Sequence, residues 1–344
     1  MFVLVTGATG RIGANLVKRL AERGDRVRAV VRPGSPRRCK LEPFDVEIAE
    51  VDLRDRERLT ATAGDVEAVV HLGAQLKGPT AVDQLEVNLA PTVTLLEAVR
   101  RYNPTIQRFV YGSSDVLYPH AGYMPNLILE EDRLSVPIGL YAAMKHAAEG
   151  IVGSYRVQYE VPTVTLTLPM TFCGKELMGE RAPAFSPRTA DQIGVLKAEA
   201  ASPERDRALH ELEAALEAGR ELVVPRCPQG PAYKRHIGDV RDVVRAVLLA
   251  LEAPQAVGER FVIMSRPLKY DLAVQHLSTV SGLAYADVTM PEAEFYEYDL
   301  TKAQWLLGYE PELDGPRMLE DAWRHSRGED IGVIDVWPRT AMAV

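Results

Sequence analysis

The sequence contains few cysteines and no long apolar run. Its three cysteines, Cys39, Cys173 and Cys227, are scattered over 344 residues, which excludes a disulfide framework and gives no zinc-ligand spacing. No apolar run approaches the roughly 20 residues that a membrane-spanning helix needs. The N-terminus has no charged segment followed by a cleavage site, so we expect no signal peptide. These absences predict a cytoplasmic protein without membrane contact.

An excess of basic residues is also missing. The formal net charge is −8, which disfavours a polyanionic partner such as nucleic acid. The chain is 47% hydrophobic and 26% charged, as is typical of globular proteins. Its length allows one large domain or two domains, each with its own core. We therefore expect a globular protein that acts on a small molecule.

Short apolar runs alternate with helical patterns in the first half of the chain. Ile12, Leu16, Val17 and Leu20 have helical spacing, and Gly24 is a suitable end for that helix. Solidly apolar runs indicate strands covered on both faces. They lie at residues 2–6, 27–31, 46–51, 68–72, 108–112 and 161–168. This alternation predicts an α/β fold with a doubly wound parallel sheet of the Rossmann type.

The regular alternation of apolar runs and helical patterns ends after Pro169. Residues 174–201 show no clear period, and a helix begins at Ser202-Pro203, where Ser caps and Pro takes the first position. A helix at 239–251 and a strand at 261–265 then return to the first sheet. We predict a dinucleotide-binding domain of residues 1–168 plus about 236–265. A smaller, interleaved C-terminal α/β substrate domain takes about 169–235 plus 266–327, and 328–344 form a tail without a predicted structure.

Three glycines follow the first strand and open the first helix. Gly7 allows a tight turn, Gly10 lets the backbone approach phosphates, and Gly13 lets the helix pack close to the strand. A glycine-rich loop alone is a weak signal, but a strand before it and an amphipathic helix after it are the confirming context. The loop predicts a site for a dinucleotide pyrophosphate.

The end of the second strand carries Arg32 and no acid. A carboxylate at this point suits a ribose 2′-hydroxyl, and a basic residue suits a 2′-phosphate. We therefore slightly favour NADP(H) over NAD(H), with an idle surface arginine as the alternative. Asp52 ends the third strand, where it can accept a hydrogen bond from adenine.

Tyr141 and Lys145 lie four residues apart on a predicted helix and share a face. A nearby ammonium favours the phenolate, so we expect it to lower the pKa of the phenol. Tyrosine can then exchange a proton with a substrate hydroxyl. The pair by itself is more often a surface contact. Ser113 and Ser114 strengthen the functional interpretation, because they end the fifth strand at the sheet edge where ligands bind.

At this point the chain resembles the extended short-chain dehydrogenase/reductases, in their NAD-dependent epimerase/dehydratase branch, over roughly residues 1–325. The matching segments are Thr6-Gly7-Ala8-Thr9-Gly10-Arg11-Ile12-Gly13, Asp52-Leu53, His71-Leu72-Gly73-Ala74, Val87-Asn88-Leu89, Ser113 to Tyr118, Tyr141 to Lys145, Arg235 to Val240, Asp299 to Ala303 and Leu307 to Pro311. The resemblance implies Ser114, Tyr141 and Lys145 as the catalytic set. It also implies a homodimer through helices near 88–102 and 141–158, packed as a four-helix bundle.

The residues and the resemblance together give two sets of candidate contacts. The cofactor set is Gly7, Thr9, Gly10, Arg11, Ile12, Gly13, Arg32, Asp52, Leu53, Leu72, Gly73, Ala74, Asn88, Tyr141, Lys145 and Pro169. The substrate set is Asp115, Thr171, Arg235 and His236, and no metal site is predicted.

The chain departs from the family pattern after the catalytic hydroxyl. The resemblance places an Asp-Glu pair there in sugar-nucleotide 4,6-dehydratases, whereas this chain has Asp115-Val116, and valine is no base. Asp115 is either a second acid/base or a surface cap. Arg235 and His236 either bind an anionic substrate group or fix a loop by packing. The insertion at 175–220 is long, and its role is open.

Three functions fit these features. The first is an NAD(P)-dependent epimerase or dehydrogenase acting on a sugar, sugar nucleotide or sugar-derived substrate. The second is an NADP-dependent carbonyl reductase or alcohol dehydrogenase for a non-sugar substrate. The third is a dinucleotide-sensing protein without turnover, although the Tyr-Lys pair argues against it.

Overall fold

Strands and helices alternate along the chain in the computed structural model, which describes residues 1–78, 80–119, 122–134 and 136–337. The strands are β1 Phe2–Thr6, β2 Arg26–Val31, β3 Glu47–Glu50, β4 Ala68–His71, β5 Arg108–Ser114, β6 Gly122–Ile128, β7 Thr163–Leu168, β8 Thr171–Phe172, β9 Leu222–Arg226, β10 Lys234–Arg235, β11 Gly238–Asp239, β12 Arg260–Val262, β13 Leu268–Lys269, β14 Tyr285–Thr289 and β15 Glu294–Tyr298.

The α-helices fall between these strands and after the last of them. They are α1 Arg11–Glu22, α2 Arg56–Ala61, α3 Ala81–Asn88, α4 Ala90–Tyr102, α5 Leu140–Tyr159, α6 Thr189–Ala198, α7 Pro203–Glu217, α8 Val240–Glu252, α9 Tyr270–Ser281, α10 Thr301–Leu307 and α11 Gly315–Ser326. Short 3-10 helices occupy Pro36–Lys40, Asp115–Leu117, Glu130–Asp132, Gly174–Met178, Pro183–Phe185 and Pro254–Ala256. Within the described ranges, no helix is long and apolar enough to cross a bilayer.

Seven strands form one parallel sheet in the order β12-β7-β5-β4-β1-β2-β3. The chain moves outward from β1 in one direction and then outward from β4 in the other. The strand order therefore reverses between β1 and β4, and a crevice opens there at the carboxyl edge of the sheet. The predicted doubly wound Rossmann fold is confirmed.

Helices cover both faces of this sheet. On one face, α1 and α8 pack against a cluster that includes Val3, Val5 and Leu16. On the other face, Leu4 and Leu95 belong to a second cluster with α2, α4 and α5. This double cover explains why β1 is buried at every position and apolar at four successive positions, Phe2 to Val5, rather than at alternate ones.

A third apolar cluster lies apart from these two, in residues 172–237 and 268–323. Two helices, one in this cluster and one in the first, match the sequence prediction closely. Helix α7 begins at Pro203, and Ser202 accepts a hydrogen bond from Arg205 N. Helix α8 is followed by β12, which pairs with β7 in the main sheet. The chain thus passes from the main sheet to the third cluster, back, and out again.

Three features were absent from the sequence-based expectations. Strand β6 pairs with β15 from far along the chain. Residues 189–198 form α6, although their apolar residues lack a helical period. In the predicted tail, residues 328–337 lie against the first cluster through Val333, Ile334 and Val336, and residues 338–344 lie outside the described part of the chain.

Candidate active site at the carboxyl edge of the sheet

The glycine loop forms a tight turn between β1 and α1. Gly7 has φ +67°, a left-handed conformation that side chains disfavour, and Gly10 N donates to Gly7 O at 2.8 Å. A Cβ on Gly13 would lie 2.1 Å from Gly7 O, and one on Gly7 would lie 2.9 Å from Gly73 N. The loop is therefore a close-packed backbone cradle at the positive end of a helix, which fits a pyrophosphate.

The loop after β4 is held against this cradle by buried polar contacts. Thr6 Oγ1 lies 2.6 Å from His71 Nδ1 and accepts a hydrogen bond from Gly73 N at 3.1 Å. Burial, with a smaller contribution from the charge of Lys145, lowers the pKa of His71 to about 3. His71 is therefore neutral and structural. Asn88, a predicted cofactor contact, binds the backbone of Gln75 in both directions at 2.7 and 2.9 Å.

A cavity of about 550 Å³ opens beside the cradle. Nine predicted cofactor residues line it: Gly7, Thr9, Gly10, Arg32, Asp52, Leu53, Leu72, Gly73 and Ala74. Arg37 also lines the cavity, and sequence reasoning missed other lining residues, which include Ser35, Pro36, Arg54, Gln75 and Trp337. The other seven predicted cofactor residues lie outside the lining. They are Arg11, Ile12 and Gly13 on α1, Asn88 on α3, Tyr141 and Lys145 on α5, and Pro169 after β7.

Two predicted residues of this region have partners within the protein. The guanidinium of Arg11 binds the buried carboxylate of Glu176 through two hydrogen bonds of 2.6 and 2.7 Å. The side chain of Arg54 donates two hydrogen bonds to the carboxylate of Asp52, at 2.7 and 2.9 Å. The hydrogen bond to Arg54 lowers the pKa of Asp52 to about 2. Neither contact was predicted from the sequence. Arg11 and Glu176 are 165 positions apart in the chain, and Asp52 and Arg54 form a pair at the surface.

Ser114, Tyr141 and Lys145 meet at the carboxyl edge, where β5 ends and α5 begins. The hydroxyl of Ser114 donates to Asp115 Oδ1 at 3.3 Å and lies close enough to Tyr141 to lower the pKa of its phenol. The ammonium of Lys145 lies 5.8 Å from the ring centre of Tyr141 and donates to Gly112 O at 2.6 Å. Helix α5 supplies both the phenol and the ammonium because they are one turn apart.

The expected lowering of the Tyr141 pKa by Lys145 is wrong. Burial raises the pKa of Tyr141 to about 12, Asp115 adds to the rise, and only the hydroxyl of Ser114 opposes it. Burial also lowers the pKa of Lys145 to about 8, since its ammonium is shielded from water. The helical spacing of the pair is evident from the sequence, whereas the depth of its burial is not.

Asp115 is both a structural contact and a neighbour of the catalytic group. Its carboxylate accepts a hydrogen bond from Met170 N at 2.9 Å, which ties the end of β5 to the segment after β7. Its charge raises the pKa values of Tyr141, Tyr296 and Tyr298. The two alternatives drawn from the sequence are therefore not exclusive.

Glu149 is a residue of this region that sequence reasoning missed. It accepts a hydrogen bond from Ser113 Oγ and pairs with Arg133. Its position, one turn after Lys145, was the available signal. Ser113 thus serves this buried network, whereas Ser114 faces Tyr141.

The other predicted substrate residues are buried and occupied by the fold. Arg235 donates to Ala184 O at 2.6 Å and to Tyr270 Oη at 3.0 Å. His236 Nε2 lies 2.6 Å from Ser265 O, and its Nδ1 accepts from Tyr298 N at 2.9 Å. Thr171 donates to Pro169 O at 2.9 Å. These contacts fix the junction of the two parts of the chain, and substrate contact by these residues stays a prediction.

Comparison with known proteins agrees with this architecture. A sterol demethylase protein B of Methylococcus capsulatus is 38% identical over 116 residues, 33% of this chain and 34% of that protein. UDP-glucuronate 4-epimerase 1 of Arabidopsis thaliana is 34% identical over 172 residues, 46% of this chain and 39% of that protein. The chain thus spans only about a third to two fifths of the length of these relatives.

A solved structure matches over nearly the full length. It is a short-chain dehydrogenase/reductase superfamily protein from Agrobacterium tumefaciens with bound NAD. It aligns with a TM-score of 0.75 and 26% identity and covers 95% of this chain and 97% of that chain. This likeness supports a nicotinamide dinucleotide as the cofactor of the glycine cradle.

A family model extends the match across both the cradle and the catalytic group. The model of the NAD dependent epimerase/dehydratase family matches residues 3–263. That range includes the main sheet from β1 to β12 together with Ser114, Tyr141 and Lys145. The chain belongs to the NAD-dependent epimerase/dehydratase family of extended short-chain dehydrogenase/reductases, which use a nicotinamide dinucleotide.

Proposed function

We propose that this protein is an NAD(P)-dependent epimerase or dehydrogenase that acts on a sugar, sugar nucleotide or sugar-derived substrate. The convergence of Ser114, Tyr141 and Lys145 beside the glycine cradle carries the proposal. Tyr141 Oη exchanges a proton with a substrate hydroxyl, and Ser114 Oγ binds the same oxygen. The bound nicotinamide supplies the acceptor and donor of hydride.

The burial of Tyr141 and Lys145 determines the protonation state of each side chain near neutral pH. With a pKa of about 12, Tyr141 is a protonated phenol at neutral pH, so it can protonate a carbonyl oxygen and must lose its own proton before it accepts one from a substrate hydroxyl. Lys145, with a pKa of about 8, can gain or release a proton at Nζ close to neutrality. We propose that Lys145 stores the proton that Tyr141 exchanges.

The relationship to UDP-glucuronate 4-epimerase 1 supports a sugar nucleotide as the substrate. The side chain at 116 argues against a 4,6-dehydratase, because Val116 packs as an apolar residue and carries no base. In an epimerase, hydride returns to the other face of a ketone and no net redox change occurs.

Exposed apolar residues around the site favour a second candidate, a reductase or dehydrogenase for an apolar, non-sugar substrate. Val136 and Ile138, on the segment that leads into α5, are 75% and 83% exposed. Met170, whose amide binds Asp115, is half exposed. Large apolar side chains in water near a site favour a ligand that covers them. The Methylococcus relative, named for sterol demethylation, is consistent with such a ligand.

We further propose NADP(H) as the preferred cofactor. Arg32 and Arg37 line the cavity, and no ion pair within the described ranges includes either of them. Guanidinium groups without carboxylate partners favour a phosphate ligand. Replacing Arg32 with Ala should weaken NADPH binding more than NADH binding, as titration of nicotinamide fluorescence would measure. Equal losses for both nucleotides would contradict the preference.

The main proposal is tested by replacing Tyr141 with Phe. We expect turnover to fall about a hundredfold to ten thousandfold, as for loss of a general acid, with dinucleotide affinity unchanged. Tyr285→Phe is the matched control, because this tyrosine lies on β14, which carries none of the candidate site residues. Undiminished function in Tyr141→Phe would instead favour a dinucleotide-sensing protein.

Substrate class is decided by identifying the nucleotide that leaves the purified protein and then testing two substrate panels. UDP-sugars converted without net change in nicotinamide absorbance would support an epimerase. Steady oxidation of NADPH with apolar ketones, and none with sugars, would support the second candidate.

We also propose a homodimer through α4 and α5. Val157 is 83% exposed on α5, and Tyr102 and Tyr159 are further exposed large side chains on or beside these helices. Unpartnered apolar side chains on neighbouring helices suit a helix-bundle interface. Val157→Lys should shift sedimentation toward the monomer, and an unchanged coefficient would contradict this interface.

A further inference from the structure

The C-terminal segment, residues 328–337, returns to the dinucleotide-binding part of the chain. Asn15, on the helix that the glycine loop opens, binds Ile334 in both directions, at 2.8 Å as acceptor and 3.1 Å as donor. Lys18 Nζ donates to Gly332 O at 2.8 Å. The segment is therefore fixed along α1, the helix that begins at the pyrophosphate cradle.

A second set of contacts ties the same segment to the residues after β8. Cys173 Sγ lies 3.1 Å from Ile334 O, and it donates to that carbonyl. Asp335 pairs with Lys175 at 3.1 Å and lies 3.6 Å from His325. Because the backbone at 334 and 335 is held from both sides, the position of Trp337, two residues later, is set by the fold.

Trp337 forms part of the wall of the 550 Å³ cavity, together with Arg32 and Arg37. The guanidinium carbon of Arg37 lies 3.8 Å from the indole ring centre, and that of Arg181 lies 4.7 Å from it. Cations over an indole face are attracted by the ring electrons. The indole therefore attracts the guanidinium groups of both Arg37 and Arg181, and this attraction offsets part of the repulsion between their charges.

The charges around Arg37 point to an anionic ligand. Burial, followed by the charges of Arg181, Arg32 and Arg11, lowers the pKa of Arg37. Neither Arg37 nor Arg181 takes part in an ion pair in the described part of the chain, whereas Arg11 and Arg54, nearby, each bind a carboxylate. The indole thus stabilises an arginine group that faces a cavity and lacks a counter-ion.

We propose that Trp337 is a cofactor-site residue that closes the adenosine end of the dinucleotide site and positions the Arg37 guanidinium toward the nucleotide. The indole excludes water from this end, and its ring face fixes the direction of the arginine side chain. This inference rests on a dinucleotide occupying the cavity. It depends on neither the proposed substrate nor the choice between NAD and NADP.

The test compares Trp337→Ala with Trp337→Phe. Because Trp337→Ala removes the ring that positions Arg37 and excludes water, we expect it to weaken NADH and NADPH binding about tenfold or more. Trp337→Phe keeps a ring for Arg37 and should restore most of the affinity. Trp305→Ala, at a tryptophan that is 81% exposed on α10, should leave both affinities unchanged.

A second measurement locates the indole independently of affinity. Reduced nicotinamide nucleotides quench nearby tryptophans by energy transfer, so bound NADPH should quench less of the total tryptophan emission in Trp337→Phe than in the Trp305→Phe control. Wild-type affinity in Trp337→Ala would overturn the proposal. Unchanged quenching in Trp337→Phe would also overturn it. If Trp337→Ala fails to fold, the quenching of Trp337→Phe still decides.

The results separate this inference from the proposals on cofactor choice and reaction. If Trp337→Ala loses affinity for both nucleotides and Arg32→Ala shows no NADPH-specific effect, the inference stands and the NADP preference fails. If only Arg32→Ala changes affinity, the NADP preference stands and the inference fails. Turnover on any substrate enters neither comparison.

Discussion

Replacing Lys145 with Met should stabilise the fold while abolishing turnover. Lys145 is almost fully buried, and burial lowers its pKa from 10.5 to about 8. Each pKa unit corresponds to about 1.4 kcal/mol, so holding the ammonium in the folded protein costs about 3 kcal/mol below pH 8. Methionine has a similar shape without the charge. Loss of the hydrogen bond to Gly112 O offsets about 1 kcal/mol, which leaves a net gain of about 2 kcal/mol.

The stability difference between Lys145→Met and the wild type should depend on pH. Below the folded pKa of about 8, both folded and unfolded chains carry the charge, and the full cost is present. Between that value and the ordinary 10.5, the unfolded chain holds more protons, so wild-type stability rises with pH relative to the variant. The advantage of Lys145→Met should therefore shrink across this window.

Urea unfolding followed by circular dichroism at several pH values measures the difference. Lys269→Met is the matched control, because Lys269 is exposed and should show no pH-dependent gain. A Lys145→Met protein that is less stable than wild type near neutrality would refute the reasoning. So would an advantage that does not change with pH.

Two other substitutions test contacts around the site. Ser114→Ala removes the hydroxyl that the proposal places on the substrate oxygen, so kcat/KM should fall about tenfold with dinucleotide affinity unchanged; Ser113→Ala is the control, and an equal fall in both variants would contradict the assignment. Arg11→Met leaves the buried Glu176 carboxylate without its partner and should cost about 3 kcal/mol in urea unfolding. Adding Glu176→Met should recover most of that loss, and no recovery would exclude the unpaired charge as its cause.

Local signals were sufficient wherever neighbours in sequence stay neighbours in space. The glycine loop combines a strand, a turn and a helix in a dozen residues, so residue spacing alone indicated the cradle. The same holds for Tyr141 and Lys145 on one face of α5 and for the cap of α7 at Ser202. Each of these depends on backbone geometry, which repeats wherever the same spacing occurs.

Local sequence patterns could not predict how deeply a side chain is buried or which distant residues it contacts. The expectation for the Tyr141 pKa failed because the depth of a side chain depends on every element packed around it. Arg235 and His236 are candidate anion ligands in the sequence, and only the structure shows that Tyr270, Ser265 and Tyr298 contact them. Such contacts join residues tens of positions apart.

The sequence by itself determined the doubly wound sheet, the glycine-rich turn between β1 and α1, and the position of Tyr141 and Lys145 on one helix face. Those features follow from short-range periodicity and from the conformational freedom of glycine. Only the tertiary structure decided the burial of Tyr141 and Lys145, the partners of Arg11 and Asp52, and the place of Trp337 in the cavity wall. The reason is physical: desolvation and charge pairing depend on which distant segments meet, and chain order does not record that.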